Sequence, residues 1–171
     1  MIAFFVAALM LYGPYVWCHL RKESFSAYGL DWSLSTKALG ETLLVTAATL
    51  TPLTVIALRW PGLSLPHNPS LKVALLQITA GAVSAIVEEV FFRGWLQTLL
   101  ARKLPFSAAL LLTTVLFAVS HRIAHPEPIF LATFFPGLVM GLLRHRHGTV
   151  TSAALYHGLG NLWAVWFFPL P

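Results

Sequence analysis

Apolar residues fall along this chain in six long runs, each bounded by proline, glycine or charge. They cover approximately Ile2–Cys18, Leu39–Leu58, Leu71–Ala101, Phe106–His121, Pro128–Leu143 and Thr151–Phe168. The runs are continuous, without the alternation over about ten residues that marks a membrane β-strand. Each therefore predicts a helix, and a crossing helix needs about 20 residues, within a range near 17–25. The first, fourth and fifth runs are at the short end, which predicts little tilt or partial insertion. The first lacks a basic leading segment and a small-residue cleavage site, so it reads as a retained helix. Polar loop His19–Lys37 follows it, Pro61–Pro69 forms a rigid connector, and Ser70 offers an N-cap to the third helix. There is no internal repeat. The expected architecture is all-α: one integral domain over residues 1–171, with about six transmembrane helices.

Composition agrees with that pattern. Hydrophobic residues make up 57% of the chain and charged residues 10%, with a mean hydropathy of +0.75. A soluble domain carries about a quarter of its residues charged, so this surface is expected to face lipid. The basic residues then predict orientation. Arg21, Lys22, Lys37, Arg102, Lys103, Arg144 and Arg146 follow the first, third and fifth runs, against Arg59, Lys72 and Arg122 after the second and fourth. The positive-inside rule places the larger set in the cytoplasm and both termini outside. Topology thus explains the net charge of +5 better than nucleic-acid binding does. The single Cys18 lies at a predicted membrane edge and forms no intrachain disulfide.

Against this apolar background, Glu88 and Glu89 stand side by side inside the third helix. A charge at the centre of a membrane helix costs about 2.5–3.5 kcal/mol on insertion scales, so an adjacent pair marks a functional site. Glu89 and Arg93 are four apart on one face, in the favourable acid-before-base order. Glu88 and Arg93 diverge by roughly 140° on an ideal helix. Arg93 is thus expected to neutralise Glu89, leaving Glu88 free for acid–base work. The bland alternative is that both glutamates merely hold Arg93 and a neighbouring helix. Further along come His121, one turn after Phe117, and His157 with Asn161, again four apart. Gly158 and Gly160 between them would let another backbone or a substrate come close. A carboxylate, two imidazoles and an amide suit water activation with oxyanion stabilisation. Measured from the cytoplasmic helix ends at 1.5 Å per residue, Glu88 lies about 20 Å deep, His121 about 22 Å, and His157 and Asn161 about 9 and 15 Å. They can meet only if the third helix runs unbroken through Gly94.

Taken in order, Glu88-Glu89-x-x-x-Arg93, Phe117-x-x-x-His121 and His157-x-x-x-Asn161 resemble the signature motifs of the CPBP intramembrane proteases. That family includes the CAAX prenyl endopeptidases and bacteriocin-processing and self-immunity proteins. Phe134–Gly141 looks like the family's glycine-bearing helix between the last two motifs. The resemblance covers residues 71–168 as a catalytic core, and residues 1–70 carry no family signature. It implies that Glu88 activates water, His121 assists or positions it, and His157 with Asn161 forms the oxyanion site. Glu89, Arg93 and Phe117 would support the site structurally. The family has been described both as metal-dependent and as glutamate-type. Zinc would need three protein ligands plus water, and Glu88, His121 and His157 could supply them. Asn161 beside His157 suits an oxyanion better than a metal, which favours the metal-free reading with no cofactor.

Other histidines read more plainly. His125 follows His121 at metal-pair spacing, but Pro126 ends the helix, and Arg144–His147 reads as a cytoplasmic anchor. Trp60, Trp163 and Trp166 read as interfacial anchors, and Gly137 with Gly141 as a helix-packing motif. The expected activity is an intramembrane endopeptidase acting on a membrane-embedded or lipidated peptide or protein, with the lipid bilayer and no nucleic acid as partner. The alternatives are a non-catalytic immunity or binding protein on the same scaffold, and a small transporter or proton relay. The latter lacks the repeated halves and paired broken helices of transporters. Brevity and compact loops suggest a bacterial inner membrane, where a prenylated substrate is not expected.

Overall fold

The computed structural model describes residues 1–62 and 64–168. It contains six helices: α1 (Ile2–Arg21), α2 (Thr36–Leu58), α3 (Leu71–Ala101), α4 (Phe106–Ala124), α5 (Phe134–His147) and α6 (Thr151–Phe167). Short 3₁₀ turns at Phe25–Tyr28 and Pro128–Thr133 precede α2 and α5, and no strand occurs among the described residues. Ser35 and Ser70 cap α2 and α3 by accepting from the amides of Ala38 and Val73. Lys22, in the left-handed region at φ 55°, closes α1.

The distribution of side chains is that of a membrane protein. Phe4, Phe5, Leu44, Leu76 and Phe135 face outward, whereas Thr42, Glu89, Arg93, Gln97, Thr113 and His157 are buried. Five helical segments, α1 to α4 and Pro128–His147, are long and apolar enough to cross a bilayer, while α6 has 17 residues. This is a polytopic helical membrane bundle. Prolines 14 and 52 lie inside α1 and α2, an interruption that membrane helices tolerate when neighbours satisfy the freed carbonyls.

Helix α3 is the axis of the bundle and packs most extensively against α6. It spans 31 residues and passes through Gly94 without a break. Its hydrogen bonding changes along the way: α-helical over Leu71–Glu89 and Gln97–Ala101, π-helical over Val90–Leu96. Inside that segment a Cβ on Gly94 would come within 2.6 Å of Leu30 Cδ2 and 3.3 Å of Val150 Cγ1. The absent side chain lets the α1–α2 loop and the start of α6 press on α3. Thus α6 begins level with Gly94, about five helical residues beyond Glu89, and not level with Ala101. Depths counted from the helix ends therefore place His157 too far from Glu89.

One end of the bundle is tied together by its polar loops. Arg102 makes a two-pronged contact with Glu23 at 3.1 and 2.7 Å, and Arg146 another with Glu41 at 2.6 and 2.8 Å. The Val150 amide donates to Gly29 O, and Thr149 Oγ1 to Ser33 O. The loops after α1, α3 and α5, expected on one side, gather at this one end of the bundle. Arg146, read from sequence as part of a cytoplasmic anchor, is paired with Glu41 of α2. At the other end the His67 amide donates to Trp166 O. Trp163, expected at an interface, donates its Nε1 proton to Thr54 Oγ1 at 2.8 Å and so joins α6 to α2.

Candidate active site

A stripe of polar residues runs down α3 at four-residue spacing: Ser84 to Glu88, and Glu89 to Arg93 to Gln97. Glu89 and Arg93 are fully buried and meet at 3.0 Å. Arg93 also donates to Gly137 O at 3.2 Å, and its guanidinium carbon lies 4.0 Å from the Phe117 ring centroid. Gln97 donates to Gly141 O at 3.1 Å. A Cβ on Gly137 would come within 3.0 Å of Thr114 Cγ2, and one on Gly141 within 2.3 Å of Leu110 Cδ1. The two glycines thus admit α4 against α5 and leave their carbonyls to α3. A buried guanidinium needs this many partners, since an unpaired buried charge is costly.

Glu88 and Glu89 point to different tasks. Glu88 Oε1 accepts a hydrogen bond from the Ser84 hydroxyl. Glu88 Oε2 is buried, makes no hydrogen bond, and faces His121 Nε2 at 3.5 Å and His157 Nε2 at 4.0 Å. The far nitrogen of each ring is anchored. His121 Nδ1 lies 3.0 Å from Phe117 O, and since a carbonyl only accepts, Nδ1 carries the proton. His157 Nδ1 lies 2.9 Å from Glu89 Oε1, the same oxygen that holds Arg93. Glu89 Oε1 already accepts from Arg93, and it accepts from this nitrogen as well. Both rings are thereby turned so that Nε2 faces Glu88.

Asn161 lies one turn beyond His157, and its Nδ2 donates to Gly81 O at 2.9 Å. A Cβ on Gly81 would fall 2.9 Å from the Asn161 Cβ, so this glycine is what lets the two helices touch. One amide proton of Asn161 is therefore engaged in joining α6 to α3. A Cβ on Gly158 or Gly160 would meet nothing within 4 Å, so these glycines mediate no close helix contact among the described residues. His125 ends α4 and stacks on Phe130, with centroids 4.4 Å apart. Sequence reasoning does not single out Ser84, Gln97 or Gly81. Ser84 and Gln97 are legible in principle, as continuations of the four-residue stripe.

Zinc takes the donor types that Glu88, His121 and His157 present. Among the described residues, however, no three His, Cys, Asp or Glu side chains are arranged to hold a metal ion. As they stand, the three side chains offer acid–base groups around one shared gap.

The fold and this centre define a class: a helical membrane protein with a carboxylate–imidazole site enclosed by its helices. A family model for type II CAAX prenyl endopeptidases, Rce1-like, matches residues 70–163, more than half of the chain. The protein belongs to this family of CAAX-protease-type intramembrane endopeptidases. The match begins at the cap of α3 and ends inside α6, so α1 and α2 lie outside it. Neither the curated proteins nor the solved structures contain a match.

Proposed function

We propose that this chain hydrolyses a peptide bond of a membrane-associated substrate, with Glu88 as the base that activates water. The observation that carries the proposal is Glu88 Oε2, a buried carboxylate oxygen without a hydrogen bond, flanked by two Nε2 atoms at 3.5 and 4.0 Å. A water among these three atoms would be held by the groups that deprotonate it. Glu88 takes one proton, and the oxygen attacks the carbonyl carbon of the scissile bond. His157, held at Nδ1 by Glu89, donates to the developing oxyanion when its Nε2 also carries a proton. Asn161 keeps a second amide proton for the same purpose. As the carbon–nitrogen bond breaks, Glu88 returns its proton to the leaving amine.

Glu89 and Arg93 act through His157 and do not touch the reacting atoms in this scheme. No step needs a metal or other cofactor. The family name points to substrates with a prenylated C-terminal segment. The broader class, a membrane-embedded or lipidated peptide, is what the site's location inside the bundle supports. The excess of basic residues in these loops supports a cytoplasmic position for their end of the bundle with both termini outside, and a bacterial inner membrane is the proposed setting. The testing experiment is cleavage of membrane-proximal peptides in liposomes by wild type and Glu88→Gln. Cleavage lost in the variant, with its fold kept, supports the proposal; equal cleavage contradicts it.

A further inference from the structure

At the loop-tied end of the bundle lies a cavity of about 340 Å³, lined in part by Arg93, Gln97, Thr98, Arg102, Arg144 and His145. Three arginines line this space, and two have acid partners: Arg93 with Glu89, Arg102 with Glu23. Arg144 has none within 4 Å among the described residues. Its one polar contact is Thr98 Oγ1 at 3.5 Å, and its Nε is buried without a hydrogen bond. The backbone makes room for this group. Gly29 has φ 64°, and a Cβ there would fall 2.5–2.6 Å from the Arg144 guanidinium. Only a residue without a side chain lets the guanidinium lie in that position.

Two further wall groups are buried and unpartnered. Arg93 is 1% exposed and its Nε has no acceptor; Gln97 is 5% exposed and its Oε1 has no donor. Packing closes both of these atoms off from the cavity, so the positive charge available in it is that of Arg144. His145, stacked on Phe106 at 3.8 Å, forms its outer wall. The walls are the last turns of α3 and α5 and the first of α4, where the bilayer-crossing helices of such a bundle end. Basic recesses between helix ends suit phosphate groups, and a planar guanidinium matches phosphate oxygens in pairs.

We propose that this cavity is an anion site, separate from the Glu88 centre, for a phosphate group. Arg144, the wall arginine without an ion pair, meets the phosphate oxygens, with Arg102 also lining the site. Two sources share that chemistry: an anionic lipid headgroup, and free hydrogen phosphate.

The test is thermal unfolding of the full chain in a neutral detergent, titrated with short-chain phosphatidylglycerol or with inorganic phosphate. Wild type, Arg144→Gln, His145→Ala and Arg59→Gln are compared, Arg59 lying at the far end of α2. In wild type and Arg59→Gln the midpoint should rise saturably. Half-saturation should need at least ten times more ligand in Arg144→Gln, and several times more in His145→Ala. His145→Ala carries the comparison should Arg144→Gln fail to fold. A response to the lipid alone assigns the site to a headgroup, and a response to both ligands assigns it to phosphate from either source. No saturable rise in wild type overturns the proposal. So does an equal response in wild type and the cavity variants, which would be general charge attraction.

Discussion

A single oxygen of Glu89, Oε1, receives both the Arg93 guanidinium at 3.0 Å and the His157 imidazole at 2.9 Å. One carboxylate on α3 thereby neutralises its own helix's cation and orients the ring that α6 brings to Glu88. This contact divides the glutamate pair, the first residue facing the two histidines and the second holding the scaffold.

The division predicts unlike outcomes for two like substitutions. Glu89→Gln leaves Arg93 buried without its counter-charge, which costs about 3–5 kcal/mol. Glu88→Gln keeps a group that can accept from Ser84 and should unfold within about 1 kcal/mol of wild type. Chemical unfolding of the two variants in detergent checks this; equal destabilisation would remove the distinction between the two roles.

Glycines should separate in the same way. Gly141→Ala puts a methyl 2.3 Å from Leu110 Cδ1 and 3.0 Å from Gln97 Oε1, so overpacking should cost about 1–3 kcal/mol. Gly160→Ala meets nothing within 4 Å and should be neutral, or stabilising by up to about 1 kcal/mol through its helix preference. Thermal midpoints of both variants would show opposite signs or a clear gap.

Much of this was legible from the residues. The six apolar runs end at helix ends to within a few positions, because proline, glycine and charge interrupt both the hydropathy and the helix. Four-residue spacing was enough to pair Glu89 with Arg93. The π-helical segment Val90–Leu96 was not legible, since no residue type specifies that hydrogen-bond pattern. Nor were the carbonyls of Gly81, Gly137 and Gly141 as acceptors for Asn161, Arg93 and Gln97, because a backbone acceptor has no sequence signature. The level at which α6 starts depends on Val150 meeting Gly94, a tertiary contact that helix counting misses.

Acid should loosen the loop-tied end. Hydrogen bonding from Arg102 holds the Glu23 carboxyl down at about 2, below its usual 4.5. A carboxyl lowered on folding stabilises fully above its unfolded value, and that contribution is lost as pH falls toward the folded value. Wild type and Glu23→Gln should therefore differ in thermal midpoint at pH 6 and converge between about pH 4.5 and 2. A gap that stays constant over this window would contradict the pairing. The effect is small, because the pair is exposed.

Metal dependence is open to a direct check. Since the site is read as acid–base groups, a chelator should leave cleavage unchanged and added zinc should not raise it. Loss of cleavage in chelator, restored by zinc, would make Glu88, His121 and His157 ligands and replace the mechanism above.

The central claim rests on the Glu88 carboxylate, and single-turnover cleavage of a membrane-proximal peptide in liposomes tests it most directly. Glu88→Gln preserves the shape of the side chain and removes its basicity. The account predicts a rate lowered by about 10²–10⁴-fold, with an unfolding midpoint near that of wild type. Cleavage at the wild-type rate by the folded variant would contradict it.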